Sequence, residues 1–407
     1  MTKPQHHEIV VIGAGICGAT IANELLLRGK SVCIVDAASS PATACSSHAY
    51  AIAHPHIGKG SPRLLRLTRI AFLLAEARWG KAWNQHGIFQ PAKKDKHFDR
   101  VEVSNYLQSL ELDQSIAVAL DAQDAEKICG IKQSGVWLPR GASLNLFETS
   151  NALLQDQDRL TCLWNSRVAK LERVDDHWLL VNQNNEAILS ADRLIVATAI
   201  DTKALMSSIG IRLPLKPVRG QLSIFSIQEE AWIKKLPRVG ISGDGYCLPA
   251  EPLEDGSYRW MVGSSFDEGE DDLGSRDSSD EFNREQAQGL LAYPEGDLGA
   301  LIKAGDFVGV RCVAGDRLPI IGALNQRSGI FLATALGSRG ILWSALAAKL
   351  ITAQVLEDDF ALLARLGFAT DLLAALAPAR FFAGALAAPA ALASNSKPIL
   401  PSAPKAK

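Results

Sequence analysis

Apolar positions follow two rhythms along this chain. The run Glu8-Ile-Val-Val-Ile12 carries four apolar residues in succession, the pattern of a strand buried on both faces. Gly13 to Gly18 then reads as a tight turn, Ala19 to Arg28 as a helix stopped by Gly29, and Ser31 to Asp36 as a second strand. A βαβ unit therefore opens the chain. From Pro62 to Gln85 the rhythm becomes helical: Leu64, Leu67, Phe72 and Leu74 fall on or near one face and arginines on another, predicting a long amphipathic helix. Between Ser166 and Leu189 the segments VAKLERV, HWLLVNQ and NNEAIL predict a small meander with a turn at Asn184-Asn185, and a strand from Arg193 to Ala197 follows.

Pro214 and Pro217 mark the crossing into a second region. There Gln221 to Phe225, Tyr246 to Pro249 and Arg259 to Gly263 read as antiparallel strands, and Asp267 to Glu281 as a carboxylate-rich loop. The last periodic part returns to a strand at Gly329 to Ala335, a glycine-rich turn at Leu336 to Gly340 and a helix at Ile341 to Leu356, mirroring the opening unit. From Gly384 to Lys407, Ala, Pro, Ser and Lys dominate without periodicity, which predicts a disordered tail. No internal repeat is evident.

At 407 residues, with 47% hydrophobic and 21% charged positions, the chain reads as an ordinary globular protein too long for one compact unit, so two interlocked domains are expected. Lys plus Arg (42) nearly balance Asp plus Glu (44), so any contact with nucleic acid must be local. Seven cysteines are scattered without a CxxC, which argues against a disulfide framework or a zinc knuckle and fits a reducing, cytoplasmic setting. No apolar run of a secretory signal precedes the first strand. The alanine-rich stretch Phe381 to Ala393, broken by Gly384 and Pro389, falls short of the roughly 20 apolar residues of a membrane span. No membrane partner is expected.

Gly13-x-Gly15-x-x-Gly18, on strand, turn and helix and followed by Asp36 at the end of the next strand, is the dinucleotide fingerprint in its structural context. Gly13 permits the sharp turn, Gly15 lets the backbone approach a pyrophosphate, and Gly18 lets helix and strand pack closely. The helix amino end offers unpaired N–H groups to phosphate, and Asp36 can bind ribose hydroxyls. A glycine-rich turn without a ligand is the alternative; the agreement of spacing, context and acid speaks against it. The fingerprint does not separate FAD from NAD. With no second GxGxxG there is room for one dinucleotide only, and a lone N-terminal site with a long antiparallel insertion and a closing strand-loop-helix favours a flavin oxidase.

Longer stretches carry a family resemblance: VVIGAGICGATIANELLLRG, AHPHIGKGSPRLLRLTRIAFLLA, GIFQPA, LPLKPVRGQLS, GDGYCLPA, GSSFDEGEDDL, GVRCVAGDRLPIIGAL and ALGSRGILWSALAAKL. From Ile9 to about Phe381 the chain resembles the FAD-dependent amine and amino-acid oxidases of the glycine oxidase, sarcosine oxidase and D-amino-acid oxidase type. Within them it is most similar to the oxidoreductase half of the bifunctional enzymes that modify the tRNA wobble uridine (MnmC). The resemblance implies an α/β protein with a Rossmann-like FAD-binding domain (1–85, 141–212 and 307–383) and an interleaved, mainly antiparallel α+β substrate domain (86–140 and 213–306), followed by the tail at 384–407. It implies noncovalent FAD, held by Gly13, Gly15, Gly18, Asp36, Ser46, Val168, Ala197, Gly337, Ser338 and Gly340. The implied reaction removes the carboxymethyl group of 5-carboxymethylaminomethyluridine in tRNA, leaving 5-aminomethyluridine and glyoxylate, with oxygen as acceptor. The resemblance does not extend to the methyltransferase half, so either a separate methyltransferase acts on the product or the pathway stops one step earlier.

Such a substrate is an N-substituted glycine, and its carboxylate asks for a guanidinium with two parallel hydrogen bonds. Arg311, in Gly-Val-Arg at a strand end, matches the position that holds substrate carboxylate in related oxidases; an ion pair with Asp316 is the competing reading. Arg339, in Gly337-Ser-Arg-Gly340, sits at a helix amino end where it can stabilise negative charge on a reduced flavin, or face the carboxylate. Tyr246 is either a pocket hydroxyl or a half-buried strand tyrosine. His54 and His56 lack a third ligand nearby and are expected to pack in a loop or pocket rather than hold zinc. The offset of Cys312 from Asp316 does not match a flavin-tethering position.

From Lys59 to Arg100, ten Lys plus Arg stand against three acids, a stripe that can neutralise RNA phosphates or be a solvated face. Two loops depart from the family pattern. Ala44-Cys-Ser-Ser-His48 lacks both glycines of a Gly-Ala-Ser-Gly-Asn type loop, and Ala197-Thr-Ala199 replaces an Ala-Asn-Gly type turn, so Ser47 and Ala199 stand where glycine often supplies positive φ or close approach. An oxidase of free glycine, sarcosine or another small amino acid is the second functional reading; a non-catalytic flavoprotein or tRNA-binding subunit is the third.

Overall fold

The computed structural model describes residues 4–58, 60–93, 97–155, 157–292 and 297–382; the tail expected at 384–407 lies outside them. The first strand, His6–Ile12, pairs in parallel with Val32–Val35 on one side and Ala187–Val196 on the other. Its apolar run is buried on both faces, as an unbroken hydrophobic stretch requires. The sheet extends in parallel to Leu160–Leu163 and to Ile330–Thr334, and the antiparallel hairpin Lys170–Val174 and His177–Val181 flanks Ala187–Val196. Helices Ile16–Leu27, Pro62–Trp79 and Gly340–Leu356 share one apolar core against it. Glu24 ties the three together, accepting from Arg78 and, at 2.6 Å, from Lys349.

A second, mainly antiparallel sheet is centred on Leu215–Ile227. This strand pairs with Ile302–Ala314 along its length and with Tyr258–Gly263 on its other side, and Tyr246–Cys247 adds to Tyr258–Gly263. Ile88–Pro91, Val118–Leu120, Gly135–Leu138 and Gly240–Ser242 complete it toward one edge. The boundary expected at 306/307 falls inside the strand Ile302–Ala314.

Three expectations are corrected, one by a local backbone turn and two by long-range strand pairing. The helix expected over Pro62 to Gln85 stops at Trp79, because Gly80 turns to φ +45°; a 3-10 turn and the short strand Asn84–Gln85 follow. The strand expected at 193–197 is the end of one long strand, Ala187–Val196, whose first half pairs in the meander and whose second half lies beside His6–Ile12. The carboxylate-rich segment from Asp267 is not a free loop: Asp267–Glu268 pairs with Leu215–Ile227, and helix Asp277–Leu291 begins within the segment. Several of its acids are internal partners. Fully buried Arg219 donates to Asp267 at 3.0 Å, and Asp280 accepts from Gln221, Ser223 and Lys303.

Five members of the basic stripe likewise pair with distant acids. Arg66 pairs with Asp371, Arg69 with Glu111, Arg78 with Glu24, Lys93 with Asp244, and Arg100 with Asp121 and Asp124. Lys59, Lys94 and Lys96 lie outside the described residues.

Candidate active site

The two sheets open on one cavity of about 1440 Å³. Its first half is built at the end of the opening strand. Gly13 has φ +100°, and a Cβ there would stand 2.6 Å from the Ala197 carbonyl oxygen; a Cβ on Gly18 would stand 1.8 Å from the Gly13 carbonyl oxygen. Strand, turn and helix can meet this closely only without side chains. The Asp36 carboxylate accepts from Ala14 N at 2.6 Å and Ala38 N at 2.8 Å, which leaves acceptor lone pairs for further donors. Ser46 Oγ accepts from Ile16 N at 2.9 Å, the first amide of helix Ile16–Leu27. Val168, Ala197, Gly337, Ser338 and Gly340 line the same cavity. Ala199 retains a left-handed backbone, φ +46°, so the turn geometry survives the loss of glycine there.

The second half is built on the antiparallel sheet. Arg311, on Ile302–Ala314, extends its guanidinium across Gly220 of the neighbouring strand, where a Cβ would come within 2.2 Å of it. The guanidinium donates to Ser264 Oγ at 2.5 Å and to the Ser265 carbonyl at 3.4 Å, and makes no ion pair among the described residues. Burial pushes its pKa down. Asp316, the competing partner, is instead clasped by Arg380 at 2.7 and 3.2 Å. Tyr246 Oη lies 2.8 Å from His48 Nε2, and burial raises the phenol well above its usual range. Desolvation, with Arg311 nearby, drives His48 down to about 3.

Further along, Arg339 donates to His56 Nδ1 at 3.2 Å, and burial lowers its pKa. His54 Nε2 meets Ser242 Oγ at 3.0 Å, and burial drives this ring down to about 4. Neither histidine joins a metal-ligating group among the described residues. Cys312 Sγ lies 3.7 Å from Thr334 Oγ1, its thiol pushed up by burial. Of the sequence-derived candidates, only Gly18 does not line the cavity; it lies beneath, as helix-strand packing.

A family model described as FAD dependent oxidoreductase, DAO, matches residues 8–354. The chain belongs to the DAO family of FAD-dependent oxidoreductases. It is 31% identical over 94% of its length to the tRNA 5-methylaminomethyl-2-thiouridine biosynthesis bifunctional protein MnmC of Ralstonia nicotianae, and 28% identical over 93% to that of Cupriavidus necator. It spans 61% and 60% of these two relatives. Its fold is shared with glycine oxidase from Geobacillus kaustophilus (TM-score 0.71, 17% identity, 88% of this chain and 96% of that one). It is shared also with L-alpha-glycerophosphate oxidase from Mycoplasma pneumoniae, solved with FAD bound (TM-score 0.72, 15% identity, 86% and 95%).

FAD is the cofactor of this DAO-family chain, and the glycine cradle fits it. Gly13 and Gly15 clear the approach to the amino end of Ile16–Leu27, where a pyrophosphate is favoured, and Asp36 retains acceptors for ribose hydroxyls. Four contributors escaped sequence reading. Gly220, Ser264 and Ser265 sit unremarked inside LPLKPVRGQLS and GSSFDEGEDDL, and His48 registers there only as a departure from a glycine-rich loop. Their signal is the contact with Arg311 and Tyr246, which sequence spacing does not carry.

Proposed function

We propose that this chain is an FAD-dependent oxidase acting on a CH–NH bond, which removes the carboxymethyl group of 5-carboxymethylaminomethyluridine at the tRNA wobble position. The observation that carries this reading is Arg311: a partly buried guanidinium lining the cavity, with hydroxyl and carbonyl partners but no carboxylate hydrogen-bonded or ion-paired to it among the described residues. A cation desolvated in this way and without a protein carboxylate favours an anion beside it, and the carboxylate of an N-substituted glycine supplies one. The cavity exceeds the roughly 300–1,000 Å³ typical of a site for one drug-sized ligand, which suits a flavin together with a nucleoside-sized substrate. Identity to the MnmC proteins over 94% of this chain supports the same substrate.

Bound flavin supplies a two-electron acceptor for the methylene between amine and carboxylate. Arg311 seats the carboxylate and so orients that methylene. Tyr246 adds a hydroxyl at the same seat, and the neutral imidazoles of His48 and His54 add no competing charge. Phe266, Phe307 and Leu222 supply apolar wall. Water then hydrolyses the imine, so that the secondary amine, dioxygen and water become 5-aminomethyluridine, glyoxylate and hydrogen peroxide.

The test is glyoxylate release in the presence of oxygen from tRNA carrying carboxymethylaminomethyluridine and, in parallel, from free glycine and sarcosine. Release from the tRNA is expected. Release from the small amines alone would replace this reading with that of a small-amine oxidase.

A further inference from the structure

We infer that His48 is a positioning residue for Tyr246, holding its hydroxyl so that the phenolic proton is donated to the anion seated on Arg311. The inference rests on the anion seat proposed above. Its first support is the tautomer of His48. The Tyr50 backbone N–H reaches His48 Nδ1 at 3.2 Å, and an amide can only donate, so Nδ1 offers its lone pair. A neutral ring with an unprotonated Nδ1 carries its proton on Nε2. That proton points at Tyr246 Oη, 2.8 Å away.

The second support is direction. A tyrosine oxygen has one proton to give. With His48 donating to the oxygen, the Tyr246 proton is left for another acceptor, and Tyr246 Oη has no other hydrogen-bond partner among the described residues. Both Tyr246 and Arg311 line the cavity, and each senses the other's charge. Tyr246 pairs with Gly263 and the Arg311 guanidinium crosses Gly220, two sheet positions without side chains. Third, the His48 ring is held in plane by stacking on Phe307, with centroids 4.9 Å apart and planes 18° from parallel. Burial keeps the ring neutral across the working pH range, so the tautomer persists. His48 ends the loop Ala44-Cys-Ser-Ser-His48, which lacks the glycines of the family's usual loop.

The test uses glycolate as a small carboxylate probe, titrated into the FAD-loaded protein and followed by the flavin absorption spectrum. Tyr246→Phe and His48→Phe are each expected to weaken glycolate binding about tenfold, the size of one charge-assisted hydrogen bond. At position 48 phenylalanine preserves the stack on Phe307 and removes the Nε2 donor together with the Nδ1 acceptor of the Tyr50 amide. His48→Gln, whose amide N–H reaches the Nε2 position, is expected to restore affinity to within about threefold. In a Tyr246→Phe background, His48→Phe should add less than about twofold, because the effect passes through the hydroxyl. Full, additive weakening in that background, or unchanged glycolate affinity in His48→Phe alone, would overturn the inference. Arg311→Ala separates it from the parent reading. If glycolate binds that variant as it binds wild type, the anion seat itself fails; if Arg311→Ala abolishes binding while His48→Phe leaves it intact, only the positioning role fails. The ratio of flavin to protein absorbance confirms that each variant has folded around its cofactor.

Discussion

Gly220 shows how a residue without a side chain can shape a binding site. A Cβ at this position would fall 2.2 Å from the Arg311 guanidinium, so Gly220→Ala is expected to displace that group while leaving the dinucleotide cradle untouched. The expected outcome is full FAD content and a KM for the carboxylate substrate raised at least about tenfold, checked by steady-state kinetics. Arg311→Ala should likewise retain FAD. It should lower kcat/KM by about ten- to a hundredfold, matching the roughly 1.5–3 kcal/mol of a hydrogen bond to a charged group. Gly18→Val belongs to the other half of the cavity: its Cβ would overlap the Gly13 carbonyl. Purified protein is expected to be colourless and not reconstitutable with FAD, read from the flavin absorbance.

At the scale of elements, the three helices on the parallel sheet depend on one acid. Glu24 is nearly sequestered from solvent, and Arg78 and Lys349 reach it from two other helices. Glu24→Ala leaves Arg78, itself mostly buried, without its carboxylate. The expected loss is about 3 kcal/mol of stability, measurable as a lower urea midpoint. The individual helices were legible from apolar spacing, and the amino-terminal βαβ unit from its unbroken strand and glycine turn. The end of the long helix was less so, because the apolar pattern continues past Gly80 while the backbone there turns to positive φ. The carboxylate-rich segment misled for a different reason: its partner Arg219 lies 48 residues earlier and is buried beneath it.

For the whole molecule, two partly buried histidines set a pH dependence. His48 and His54 have folded-state values of about 3 and about 4 against the ordinary 6.5, so the unfolded chain binds more protons than the native one below pH 6.5. Their contribution is fully present above that pH. It is lost progressively as pH falls toward 4 and then 3. Urea midpoints measured at pH 7.5, 6.0 and 5.0 should therefore decline, and the decline should be shallower in a His48→Gln/His54→Gln variant. Charge on this scale also redefines the basic stripe: five of its members are paired with acids from other segments, so a local count of +7 does not describe a free cationic surface.

The sequence alone determined the dinucleotide half of the cavity. Gly13, Gly15, Gly18 and Asp36 lie within one βαβ unit, and the chemistry of that half depends on short-range backbone geometry that spacing encodes. Arg311 could be picked out by its motif, but whether it meets Asp316 or a ligand is a matter of which side of the sheet each side chain occupies. Tertiary structure decided that, sending Arg380 to Asp316 and Arg311 across Gly220. It also brought His48 to Tyr246, 198 residues away. Pairings of that separation follow from how two sheets pack, and strand periodicity carries no information about packing between sheets.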